Sequence, residues 1–286
     1  MEVAQKTYIC CCWKTYNMRD VAIRFLSGVL YVSLIFIFLF LSREWFIGLL
    51  FILALITLNE FLRLVSLKGF IAYPLLAVAF YFISYKEIDP TSIIVLLSLS
   101  ILVNLFLLRD VLILSRLSLF KKRRYFCILF YIISGFVFLS LIPSIGLENE
   151  FNPTILLCIF ILVWTNDTFA YLVGKNFGKI KLMESISPKK TVEGFFGGVV
   201  GSLIASVIIF NFTSLYNVYI WLALAILVSV LGTTGDLIQS KFKRKAGVKD
   251  SGKLMPGHGG MYDRLDSIIY ASPFIYMFLA IIDYVS

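Results

Sequence analysis

Apolar runs, each about as long as a membrane crossing and each closed by a short polar break, follow one another along the chain. A helix needs about 20 apolar residues to cross the hydrocarbon core of a bilayer. By that measure the pattern predicts nine spans, at 21–41, 45–62, 69–85, 91–108, 125–143, 153–173, 194–212, 217–234 and 268–285. The third is short and contains Pro74, which predicts a kink or tilt. Only Ser42, Arg43 and Glu44 separate the first two, a tight hairpin. The expected fold class is all-α: a polytopic integral membrane protein of about nine transmembrane helices.

Composition supports this reading. The chain has 286 residues, 60% of them hydrophobic, and a mean hydropathy of +0.92, which excludes an ordinary soluble domain. No polar stretch approaches the ~50 residues that an aqueous domain requires. Residues 1–20 are too polar, and the first span too long, for a cleavable signal. The net charge of +9 then reports topology. With the N-terminus placed in the cytoplasm, every Lys and Arg except Arg43 and Lys86 falls on the inner side, while Glu87, Asp89, Glu148 and Glu150 fall outside. This orientation puts the C-terminus outside. Dispersal of the basic residues over membrane loops argues against a nucleic-acid partner and for anionic lipid headgroups. The run from Lys121 to Arg124 reads as a topology anchor.

The five cysteines lack metal-ligand spacing: Cys10, Cys11 and Cys12 form a tail triplet, and Cys127 and Cys158 lie within spans. Residues 1–150 are chemically quiet and read as N-terminal membrane helices with a lipid-facing or oligomer-forming role. Their Asn59, Glu60 and Asn104 are expected to make interhelical hydrogen bonds. Residues 151–286 read as the catalytic part, because three polar clusters arrive there on successive inner faces.

The first cluster places Asp167, Tyr171 and Gly174 on one helix face. An aspartate at the end of a span is a functional candidate by default. The second runs from Ser187 through Pro188, Lys189, Lys190 and Thr191 to Glu193 and Gly194. Ser187 can cap a helix that starts at Pro188, whose free N–H groups and two lysines would form an anion site. Gly194, Gly197, Gly198 and Gly201 behind it would let another helix approach closely.

The third cluster extends from Gly235 to Asp266 and is the most polar part of the chain. Asp236, Ser240 and Lys243 continue the eighth span's helix, followed by Arg244, Lys249 and Asp250. The only histidine, His258, lies among three glycines, which implies unusual backbone angles or close approach to a ligand. Asp263, Arg264 and Asp266 open the ninth helix. If the loop folds back, Asp236 and Asp263 meet at the membrane surface. Two carboxylates with room for water and phosphate oxygens suit Mg²⁺, and the sequence leaves room for a second, monovalent cation. With the basic residues this is equipment for phosphoryl or nucleotidyl transfer, in which catalysis is mainly positioning and charge neutralisation. A phosphate monoester is already largely ionised near neutral pH. His258 therefore reads as a phosphate or turn contact rather than a base.

The run Ser240-x-Phe242-Lys243-Arg244, then Lys249-Asp250-x-Gly252, then Pro256-x-His258-Gly259-Gly260-x-x-Asp263-Arg264-x-Asp266 closely resembles the signature of the CDP-diacylglycerol synthases, or phosphatidate cytidylyltransferases. Met255 departs from the usual Ile, Leu or Phe, a swap of similar volume. The Asp167 and Ser187–Gly194 clusters resemble the family too. The resemblance implies the reaction of CTP with phosphatidic acid to give CDP-diacylglycerol and pyrophosphate, Mg²⁺-dependent, by a homodimer in the inner or plasma membrane with its site facing the cytoplasm. It implies Asp236 and Asp263 as the metal pair. Lys189, Lys190, Lys243, Arg244 and Lys249 would hold the phosphates, and Ser187, Ser240, His258 and Arg264 would contact substrate. Asp167, Tyr171, Glu193, Asp250 and Asp266 are supporting candidates. Two other readings remain. A CTP-dependent polyprenol or dolichol kinase would move the γ-phosphate instead, and a transporter would use Asp167 and Asp236 as coupling carboxylates.

Overall fold

The computed structural model describes residues 18–86, 89–112, 124–145, 150–213, 215–255 and 259–285. His258, the Cys10–Cys12 triplet and most of the run from Lys121 to Arg124 lie outside the described residues.

Among the described residues the chain forms nine helical rods: α1 (Met18–Leu41), α2 (Arg43–Leu64), α3 (Ala72–Tyr85), α4 (Pro90–Leu112), α5 (Arg124–Ser144), α6 (Pro153–Phe177), α7 (Val192–Phe212), α8 (Val218–Lys245) and α9 (Tyr262–Val285). Seven are long and apolar enough to cross a membrane. The apolar part of α1, Leu26–Leu41, and all of α3 are shorter. The protein is a mostly helical, integral membrane protein.

Polar residues at the breaks start these helices. Ser42 accepts from Trp45 N, Asn152 from Thr154 N and Asn217 from Ile220 N, each capping the helix that follows. Pro153 then takes the first position of α6, where its missing N–H leaves no bond unmade. Pro74, expected to kink the third span, is instead the third residue of α3 and disturbs nothing. That helix departs from α geometry farther on, in a π segment at Phe80–Tyr85. A second π segment, Ile128–Ile133 in α5, offers the Phe130 carbonyl to Ser100 Oγ at 3.0 Å.

α5 is the most enclosed span, and α4 the one most open to its surroundings. The core beneath the polar end is aromatic. Phe61 of α2, Tyr131 of α5, Phe242 of α8 and Tyr262 of α9 pack edge-on or stacked, and the Tyr131 and Tyr262 hydroxyls lie 2.8 Å apart. α6 and α7 form the closest helix pair, as the glycine spacing requires. A Cβ at Gly197 would strike Val173, one at Gly198 the Asn166 carbonyl, and one at Gly201 the Phe169 ring.

Two corrections follow from the connection between α6 and α7. The fold is not purely helical: β1 (Lys181–Met183) and β2 (Ser187–Thr191) pair antiparallel in a small hairpin. Ser187 therefore caps nothing, and Pro188, Lys189 and Lys190 lie on a strand. Thr191 is the cap of α7, accepting from Gly194 N at 3.1 Å. A serine before a proline resembles a helix start, but the same residues also pair with 181–183, and the strand defers the helix to Val192.

Candidate active site

The C-terminal ends of α6 and α8, the N-terminal ends of α7 and α9 and the β1–β2 hairpin converge on a cavity of about 660 Å³. Alternation of the helices brings these four ends to the same side. Basic groups reach the cavity from three directions: Lys175 from α6, Lys181, Lys189 and Lys190 from the hairpin, Lys243 and Arg264 from α8 and α9. Acids come from Asp167, Asp236, Asp250, Asp263 and Asp266. A smaller chamber of about 250 Å³ lies on the other side of Asp167, Asp263 and Asp266. Its remaining wall is largely apolar, with Val32 and Tyr31 of α1 and Phe160 and Trp164 of α6.

Each of the two principal carboxylates is matched to an ammonium group. Lys190 Nζ lies 2.5 Å from Asp236 Oδ2, and Ser240, one turn along α8, donates to Oδ1 of the same carboxylate at 3.2 Å. Lys243 Nζ lies 2.8 Å from Asp263 Oδ1, and Gln239 Nε2 donates to that oxygen at 3.1 Å. The second oxygen, Asp263 Oδ2, accepts from Ser251 N, Ser251 Oγ and Gly260 N at 2.8 to 2.9 Å. Asp263 is thus held by four N–H donors and by the Ser251 hydroxyl, whose single proton Glu60 also competes for. Asp167, Asp236 and Asp266 line the same cavity.

Among the described residues no three acidic, histidine or cysteine side chains are gathered as a metal cage. Mg²⁺ does not need one, because it keeps water and substrate phosphates and takes only one or two carboxylates. Asp236 and Asp263 line the cavity and carry hard oxygens of the kind Mg²⁺ takes, but each is paired with an ammonium group that an incoming phosphate would have to draw away.

Other sequence candidates occupy varied places. Tyr171 stands at the cavity rim, with Lys175 Nζ 5.8 Å from its ring. Arg244 turns away and donates to the carbonyls of Ile186 and Val248, bracing the hairpin. Glu193 accepts from Ile180 N through both oxygens and holds the base of β1. Lys249 is exposed on the surface turn, and neither it nor Ser187 lines the cavity. Gly259 has φ +89°, so one of the three glycines around His258 does adopt the left-handed conformation. Sequence reasoning missed Gln239, Ser251, Lys175 and Lys181. An amide, a hydroxyl and two surface lysines carry no pattern until the fold sets them beside Asp263 or the cavity.

The sequence pattern of the cytidylyltransferase family matches residues 22–282, from α1 to α9. The chain belongs to the cytidylyltransferase family. Its curated relatives include the phosphatidate cytidylyltransferase of Staphylococcus haemolyticus, 38% identical over 79% of this chain and 86% of that relative. Those of Staphylococcus aureus and Staphylococcus epidermidis are 38% and 35% identical over the same shares. Membership makes the protein a nucleotidyltransferase. The acid–base pairs just described therefore belong to an enzyme that handles a nucleoside triphosphate at a membrane.

Proposed function

We propose that this enzyme is a phosphatidate cytidylyltransferase, converting CTP and phosphatidic acid to CDP-diacylglycerol and pyrophosphate at the cytoplasmic face of the inner or plasma membrane. The observation that carries the reading is the convergence of Lys189, Lys190, Lys243 and Arg264 with Asp236 and Asp263 on one cavity at a helix-bundle end. The relatives named phosphatidate cytidylyltransferase support the choice of lipid. An oxygen of the lipid phosphate attacks the α-phosphorus of CTP in line. A new P–O bond forms, the bond from the α-phosphorus to the β-bridging oxygen breaks, and its electron pair leaves with pyrophosphate. The attacking monoester is already largely dianionic near neutral pH, its second pKa being about 6, so no general base is required.

The chain's residues then act by position and charge. Lys189 and Lys190 on β2 meet the triphosphate, and Lys243 and Arg264 meet the phosphates nearest Asp263. Ser240 holds the rotamer of Asp236, and Gln239 that of Asp263. Asp236 and Asp263 would hold Mg²⁺, which supplies neutralisation of phosphate charge and a template for displacement. When phosphates arrive, Lys190 and Lys243 have a stronger anionic partner than a single carboxylate. The chamber beside α1, part apolar and part lined by Asp167, Asp263, Arg264 and Asp266, gives room for the glycerol end of the lipid. A homodimer accords with the family resemblance.

Pyrophosphate release by the purified enzyme in mixed micelles tests the reading. It should require both CTP and phosphatidic acid, one pyrophosphate per lipid consumed. Release of CDP instead would overturn it in favour of a kinase. Solute flux in proteoliposomes without CTP turnover would favour a transporter.

A further inference from the structure

The side chain that fixes the Asp263 loop comes from the half of the chain without catalytic motifs. Glu60 lies on α2, buried at 6% exposure. Its Oε1 accepts from Met261 N at 3.0 Å, and its Oε2 accepts from Tyr262 N and Ser251 Oγ, both at 2.9 Å. Met261 and Tyr262 open α9, where backbone N–H groups have no partner within the helix. Glu60 thus caps α9 from another helix, and its negative charge lies at the favourable end of the helix dipole. Among the described residues its hydrogen-bond partners are two backbone N–H groups and one hydroxyl.

The loop is shaped around this carboxylate. A Cβ at either Gly252 or Gly260 would overlap it, so both glycines are places where the backbone must come close. Ser251 Oγ lies 2.9 Å from Glu60 Oε2 and 2.9 Å from Asp263 Oδ2, so its one proton is shared between the two acids, while Ser251 N donates to Asp263 alone. Gly260 N, beside the Glu60 carboxylate, donates to Asp263 Oδ2. Among the described residues, the donors to Asp263 Oδ2 therefore belong to a segment that Glu60 anchors, whereas the donors to Oδ1 come from α8.

We propose that Glu60 is a positioning residue for the transfer reaction, acting through Ser251 and the start of α9 to aim Asp263 into the cavity. The kinetic part rests on the cytidylyl-transfer reading, and the structural part does not. Loss of Glu60 frees the loop that carries Asp263 and leaves Lys189 and Lys190 on β2 in place. The transfer step should suffer while CTP capture survives.

The test compares Glu60→Ala, Glu60→Gln and Thr57→Ala in the full-length, detergent-solubilised enzyme. Thr57 is buried one turn earlier on α2 and its hydroxyl has no hydrogen-bond partner. Amide hydrogen exchange is followed in peptides covering 251–262, alongside kcat and the KM for CTP. Glu60→Ala should speed exchange at Met261 and Tyr262 by ~10-fold or more. It should lower kcat by at least ~10-fold with the KM for CTP changed by less than ~3-fold. Glu60→Gln keeps one oxygen acceptor but turns its NH2 toward the other backbone donor, so it should recover part of both, and Thr57→Ala should match the parent. The proposal is overturned if Glu60→Ala leaves exchange and kcat unchanged. It is also overturned if exchange rises equally throughout α2 and α5, or if Glu60→Gln keeps parental exchange at 261 and 262 yet loses kcat. A parent enzyme with protected 261–262 amides but no cytidylyl transfer would refute the reaction, not the anchoring.

Discussion

Lys243 donates to Asp263 Oδ1 at 2.8 Å from a different helix, and the loop between α8 and α9 folds back so that the two meet. Both side chains are largely buried, at 12% and 6% exposure, so the pair is screened little by solvent. Lys243→Met keeps the aliphatic stem and removes the charge. It should lower kcat/KM by roughly 100-fold, equivalent to about 2.7 kcal/mol of transition-state stabilisation. Lys243→Arg should fall between. Steady-state kinetics on CTP checks both, and parental kcat/KM in Lys243→Met would remove Lys243 from the site.

Asp236→Asn retains the shape and the hydrogen bond from Ser240 but loses the charge facing Lys190. Turnover should drop ~100-fold or more, and the residual rate should no longer respond to Mg²⁺ as the parent's does. A Mg²⁺ titration of the variant is the check. Near-normal Mg²⁺-dependent turnover in a folded variant would contradict the metal assignment.

Lys190 and Asp236 face each other directly, so their substitutions should not add. A double-mutant cycle with Lys190→Met and Asp236→Asn should show a coupling of about 0.5–3 kcal/mol in kcat/KM, the range for residues in contact. Additivity within about 0.3 kcal/mol would mean that the pair does not act together.

The start of α7 gives a stability prediction. Thr191→Val removes the hydroxyl that accepts from Gly194 N and should destabilise the protein by about 1 kcal/mol. Ser187→Ala should change stability much less, because no cap depends on it. Thermal unfolding of the two variants in one detergent decides the matter. The reverse order would restore the sequence-based helix start at Pro188.

Much of this was legible in the chain. The apolar runs marked the helices, although the caps at Ser42, Asn152 and Asn217 that start three of them were shown only by the fold. The spacing of Asp236, Ser240 and Lys243 survives as one face of α8, and Asp263 with Asp266 opens α9 as read. The β1–β2 hairpin was hidden because a strand at Ser187 depends on pairing with Lys181–Met183, which no local pattern of Ser, Pro and Lys declares. Arg244, read as a phosphate contact, and Glu193, read as a supporting candidate, are engaged with backbone groups that the folded chain presents. Glu60 was read correctly as a hydrogen-bonding group. Its partners lie some 190 to 200 residues away along the chain, so the fold alone shows that they belong to the loop of Asp263.

The most direct measurement supplies the purified enzyme with phosphatidic acid and CTP carrying radioactive phosphorus at either the α or the γ position. The account predicts that label from the α position enters the lipid product and label from the γ position appears in pyrophosphate. Label from the γ position in the lipid would contradict it.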